Sequence, residues 1–218
     1  MLTDFMNSET YKKQKELIDE RSKTIKSGDN VIHLTYLGEL DNDDLSEINN
    51  LLTKGKLELS SFNKSGTMEN SLSLEDFTLV TYLVLNQPIV IELLKGVGTN
   101  AIWDSIKASV LFIRNKIKGK KYYKGTSGSI EEKDIKFGLQ VNLDKNTGFN
   151  FELEGNLDNE IIENLLDKII DFMKEQKPRN KYQIADYVYY SKQEGKWIKV
   201  DVMNEIRREI KKQTKKKK

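Results

Sequence analysis

Residues 77–113 constrain this chain more than any other stretch, because only there does a polar sequence turn strongly apolar over a long reach. Phe77, Leu79, Val80, Leu83, Val84 and Leu85 lead into Ile89, Val90, Ile91, Leu93 and Leu94. After the Gly96-Val97-Gly98 break come Ile102, Trp103, Ile106, Val110, Leu111, Phe112 and Ile113. Burying each large side chain is worth about 1.5–3 kcal/mol, so this segment is expected at the centre of the core. It is not expected to span a bilayer. Glu92, Lys95, Asp104 and Lys107 interrupt it, and a charge at mid-membrane costs about 2.5–3.5 kcal/mol on insertion scales.

The start of the segment reads two ways. Ser73-Leu74-Glu75-Asp76 resembles a helix capping box, whereas Thr78, Val80, Thr81 and Val84 favour a strand. Residues 77–86 therefore stay open between helix and strand. Pro88, after Asn86-Gln87, suits a helix start, and Asn100 suits the cap of a second helix from Ala101 to about Lys118.

The clearest strand signal lies further on. Ile135, Phe137, Leu139, Val141 and Leu143 alternate with polar residues, Asp144-Lys145-Asn146-Thr147-Gly148 turns the chain, and Phe149, Phe151 and Leu153 alternate back. That is a β-hairpin with one wet face. An amphipathic helix follows, with Leu157, Ile161, Ile162, Leu165, Leu166, Ile169, Ile170 and Met173 at helical spacing. Earlier, Val31 to Leu37 and Lys56 to Phe62 read as strands around a short helix led by Asp41-Asn42-Asp43-Asp44. Residues 8–27 favour helix by propensity but carry a thin apolar face. Tyr187-Val188-Tyr189-Tyr190, a turn at Glu194-Gly195 and Trp197-Ile198-Lys199-Val200 make a closing hairpin, followed by a short helix from Asp201.

These elements predict an α+β fold, a mixed or antiparallel sheet with a central β-hairpin packed against amphipathic and apolar helices. The expected organisation is an N-terminal polar helix (1–30), a core domain (31–175) and a C-terminal hairpin–helix unit with a lysine-rich tail (181–218).

Composition narrows the chemistry. The chain has no cysteine, which removes disulfides, thiolate nucleophiles and cysteine-bound metals, and fits a reducing cytoplasm. Few alanines beside many Lys, Asn and Ile residues suggest an AT-rich genome, bacterial or viral. The first residues show no basic stretch followed by an apolar one, so no signal peptide is expected. Residues 1–113 carry 11 basic and 17 acidic groups, a net of −6, and residues 114–218 carry 25 and 17, a net of +8. Such asymmetry marks either a polyanion-binding half or two halves that attract each other.

Gly96-Val97-Gly98-Thr99-Asn100-Ala101 matches a variant of the dinucleotide-binding fingerprint. No buried strand ends at these glycines and no acid sits where the ribose would need one, so a bend between packed helices is the expected role. His33 is the sole histidine and lies in a strand without a nucleophile elbow. Glu39, Asp41, Asp43 and Asp44 lack the glycine and closing glutamate of a calcium loop, and helix capping explains them. Asp134-Ile135-Lys136 and Glu131-Glu132-Lys133, with Glu131 and Glu132 expected in a loop, faintly resemble part of a nuclease site without a partner acid. No catalytic residue, metal ligand or cofactor site is assigned. The best candidate contact is a run of cations and tyrosines, Arg114, Lys116, Lys118, Lys120, Lys121, Tyr122, Tyr123 and Lys124. Cations neutralise phosphates while tyrosines stack on unpaired bases. The lysines that make up most of the last eight residues would add attraction blind to sequence.

The order of parts between Val31 and Met173 is strand, short helix, strand, apolar helices around Trp103, basic turn, hairpin and helix. It resembles the small effector-associated constant component family of bacterial conflict systems. The likeness rests on 31–37, 45–52, 56–62, Ala101-Ile102-Trp103 through Ile113, and the hairpin with 157–173, about two thirds of the chain. The resemblance implies a non-enzymatic helper module that accompanies NTPase and effector components. A longer 63–100 region, the N-terminal helix and the C-terminal unit depart from that pattern, and no functional residue carries over. The expectation is thus a cytoplasmic, non-enzymatic module that binds another protein. The alternative is a binder of nucleic acid or an anionic surface through 114–124 and the lysine tail.

Overall fold

The computed structural model describes residues 9–66, 79–96, 100–126, 129–153 and 157–202, with Asn204 and Arg207. Among them the chain runs α1 (Glu9–Ser22), β1 (Val31–Tyr36), α2 (Asn42–Thr53), β2 (Glu58–Asn63), β3 (Thr81–Leu85), α3 (Gln87–Lys95) and α4 (Asn100–Ile117). It continues β4 (Lys121–Thr126), β5 (Ser129–Asp134), β6 (Phe137–Asn142), β7 (Gly148–Leu153), α5 (Asn159–Lys174), β8 (Asp186–Ser191) and β9 (Lys196–Val200). Seven strands form one mixed sheet in the order β2-β1-β3-β6-β7-β8-β9, and β4 and β5 form a ribbon of their own. This is the expected α+β class.

Parallel and antiparallel pairs alternate across the large sheet. β1–β2, β3–β6 and β7–β8 are parallel, while β1–β3, β6–β7 and β8–β9 are antiparallel. Parallel neighbours cannot be joined by a tight turn. Each parallel pair therefore brackets helical crossovers, α2 for the first, α3 and α4 for the second and α5 for the third.

The crossovers share one face of the sheet. Ile32, Leu34, Leu83, Leu85, Leu139, Phe151 and Val188 of the strands form a single buried cluster with Ile48, Ile106, Ile113, Leu166 and Ile169 of the helices. The core thus draws on the described parts of the expected segment, 79–96 and 100–113, but shares its centre with β6, β7 and α5. His33, Tyr82, Val84, Gln140 and Asn150, at the alternate strand positions, are half-buried. Helix α1 joins the body along edge strand β2. Arg21 donates to the carbonyls of Asn63 and Ser65 at 2.6 and 2.7 Å. The Lys26 N–H donates to Ser60 Oγ at 3.0 Å.

Local chemistry explains the boundaries. Asp41 caps α2 in a reciprocal box, its carboxylate accepting from the Asp44 N–H at 2.8 Å while Asp44 accepts from the Asp41 N–H at 3.3 Å. Asn86 Oδ1 accepts the Ile89 N–H at 3.2 Å, Pro88 occupies the first turn of α3, and Gly96 closes it with φ +74°. The open reading of 77–86 resolves as strand over Thr81–Leu85, where β1 and β6 supply ladder partners on both sides. The capping-box reading of 73–76 lies outside the described residues. Gly55, after α2, lets that helix end lie against α4. A Cβ there would run into Ser105 Oγ and stand 3.0 Å from the Ile102 Cα.

The hairpin of the expected 181–218 unit joins the body's own sheet. β8 lies parallel to β7 in the large sheet, and Trp197 is buried against Phe151, with ring centroids 5.1 Å apart and nearly perpendicular. The indole N–H of Trp197 donates to the Leu165 carbonyl at 3.1 Å, tying β9 to α5.

Candidate interaction surface

The ribbon β4–β5 stands apart from this construction. Its strands pair in register from Lys121↔Asp134 to Thr126↔Ser129, and among the described residues neither makes an extensive contact with any other element. Directly opposed residues share a face. One face therefore carries Lys121, Tyr123, Ile130, Glu132 and Asp134, and the other carries Tyr122, Glu131 and Lys133. Tyr122 and Lys133 are half-buried, so their face lies toward the body. On the outward face Tyr123 and Ile130 sit diagonally and are 71% and 77% exposed.

Charged and polar side chains, in place of apolar ones, make the ribbon's side-chain contacts. Lys121 Nζ meets Glu132 Oε2 at 2.8 Å, Tyr123 donates its hydroxyl to Glu132 Oε1 at 3.2 Å, and Lys133 meets Glu131 at 3.4 Å. The Lys121 hydrogen bond holds the Glu132 carboxyl below its ordinary pKa, and Glu132 in turn raises that of Lys121. Three lysines and three acids make residues 121–134 neutral overall.

The basic run expected to act as one patch is divided by the fold. Arg114 is 2% exposed and turned inward, donating to the Asn159 side chain at 3.1 Å and to the Leu157 carbonyl. Burial pulls its pKa down, partly offset by Asp158. Lys116 meets the buried Asp44 at 2.7 Å. Burial would push the Asp44 carboxyl up, but Lys116 and the Asp41 N–H outweigh it and hold the group below its ordinary value. Lys120 donates to the Glu39 carbonyl at 2.7 Å, at the root of the ribbon. Lys118 is exposed. Lys121, Tyr122, Tyr123 and Lys124 lie together on β4, and the backbone register sets Lys124 opposite Glu131. Four of the eight residues thus share the ribbon, while Arg114 and Lys116 stay on α4 and Lys118 and Lys120 lie in the turn after it.

The remaining sequence candidates fall in structural roles. Glu39 accepts the Leu37 N–H at 2.6 Å and the Thr81 hydroxyl. His33 is half-buried on β1 between Ser60 and Val84, and burial lowers its pKa. Among the described residues no cluster of three His, Asp or Glu side chains is placed to hold a metal ion. Gly96 is a helix terminus, and residues 97–99 of the glycine motif lie outside the described residues.

Sequence reasoning missed Ile130 and the strand character of Glu131–Asp134. The available signal was a lysine-rich stretch facing an acid-rich one across Gly125 to Gly128. Arg114 was also legible as an inner residue, four positions after Val110 and three before Ile117 on the buried stripe of α4. No helix among the described residues is long and apolar enough to cross a membrane. No protein-family model, curated protein or solved structure matches this chain.

Proposed function

We propose that this protein is a non-catalytic protein–protein interaction module whose contact element is the β4–β5 ribbon. The single observation that carries the reading is the outward Tyr123–Ile130 pair, held on a two-stranded ribbon whose outward face no sheet or helix among the described residues covers. Large apolar side chains are seldom left so exposed in pairs, and tyrosine beside an aliphatic residue is a common anchor at protein contacts. The resemblance to helper modules of bacterial conflict systems agrees with this role and suggests an accessory of such a system, in the cytoplasm.

A second reading, contact with nucleic acid or another polyanion, draws on the +8 balance of residues 114–218. Within the basic run, however, Lys116 and Lys121 bond to acids of the same chain, and Arg114 points inward. The decisive experiment compares the wild type with a Tyr123→Ser/Ile130→Ser variant as immobilised baits in bacterial cytosol. Our reading expects a protein retained by the wild type and lost by the variant, unchanged after nuclease treatment. Equal retention by both baits, or capture abolished by nuclease, would overturn it.

A further inference from the structure

A second pair of large apolar side chains stands at the other end of the sheet. Tyr182 and Ile184, in the connection between α5 and β8, are 74% and 78% exposed. The ribbon adjoins the start of β6, whereas this connection adjoins the start of β8, beside the turn between β6 and β7. Its backbone is pinned to that turn. The Asn146 side-chain amide donates to the Arg179 carbonyl at 3.1 Å, the Arg179 N–H to Thr147 Oγ1 at 2.7 Å, and the Gln183 N–H to the Asn146 carbonyl at 3.4 Å. Arg179 also pairs with Asp186. The connection is therefore held from within while its apolar side chains project outward.

The charges around the pair are uneven in the same sense. Arg179 and Lys174 are matched by Asp186 and Asp171. Lys145, Lys177 and Lys181 are exposed, and no acid among the described residues is bonded to them. The acids left nearby are Asp144, which accepts the Asn146 N–H at 2.7 Å, and Glu175.

We propose that the α5–β8 connection docks on an anionic lipid bilayer. Side chains that line a groove lose exposure to its walls, and Tyr182 and Ile184 do not; they form a convex pair. A lipid interface deforms around such a pair, seating tyrosine at headgroup level and the aliphatic chain below it, while lysines reach the phosphates. The contact is weak, reversible and salt-sensitive, since lysines near an anionic surface each add a modest, screened attraction.

The test uses the absence of cysteine. A single Gln183→Cys substitution in the full chain is labelled with an environment-sensitive fluorophore and mixed with vesicles of phosphatidylcholine and phosphatidylserine in equal parts, or of phosphatidylcholine alone. The expected result is a blue shift with the mixed vesicles only, reversed by salt. The lipid concentration at half-shift should rise at least about tenfold in a Tyr182→Ser/Ile184→Ser background. A Lys177→Glu/Lys181→Glu background should weaken it in the same direction, and unchanged circular dichroism would show that each variant is folded. The lysine-rich tail is present in every variant, so it does not account for a difference between them. No shift with mixed vesicles, an equal shift with neutral ones, or insensitivity to both double variants would overturn the proposal, and the last would leave the tail as the lipid-binding element. Retention of the ribbon's protein partner is scored separately, so neither result depends on the other.

Discussion

The large sheet and the β4–β5 ribbon are built by different forces. In the sheet, Leu139 opposes Phe151 on the helix-covered face, and each such side chain gains about 1.5–3 kcal/mol by leaving water. In the ribbon, Tyr123 opposes Glu132 and Lys121 opposes Asp134, pairs whose attraction is screened and adds little. A two-stranded ribbon without a buried face is marginal in isolation. The body should therefore carry the stability of the fold, leaving the ribbon's outer face available for contact.

The sharpest break of this comparison is Phe151→Ala. Phe151 is fully buried among Phe149, Phe172 and Trp197, and truncation should cost about 3–5 kcal/mol in a denaturant titration. Gly55→Ala comes next. Its Cβ would stand 3.0 Å from the Ile102 Cα and 3.1 Å from the Ala101 carbonyl oxygen, so α2 and α4 must part, at about 1–3 kcal/mol on the same titration.

A pH series sharpens the body side further. Asp44 has a folded-state pKa below its ordinary value, so its contribution is present above that ordinary value and is lost as pH falls through the folded one. Asp44→Asn should lower the melting temperature at neutral pH and narrow the gap to wild type in acid. Smallest is the ribbon itself. Tyr123→Ser and Ile130→Ser should each change unfolding free energy by no more than about 0.5 kcal/mol, whereas the double variant is expected to lose partner capture.

Much of the body was legible because its strands bury alternate residues and its helices bury stripes. Phe137 to Leu153 announced β6–β7 by period two, and the spacing of Ile162, Leu166, Ile169 and Met173 announced α5. The split of 77–86 needed tertiary context, since only the neighbours β1 and β6 decide that Thr81–Leu85 pairs as a strand. The ribbon was obscure for the opposite reason. Its alternation is between charges and not between apolar and polar residues, so Glu131–Asp134 reads as a loop until Lys121 and Lys124 are set opposite. The pairing of the last hairpin with β7 was not legible, because the partners of Trp197, Phe151 and Leu165, lie far back in the chain.

Native-state hydrogen exchange on the isolated protein tests the division of labour most directly. The account predicts that backbone amides of β4 and β5 exchange with little protection while those of β6 and β7 exchange only through global unfolding. Ribbon amides protected to the same degree as β6 and β7 would contradict it, since the ribbon would then share the body's cooperative stability.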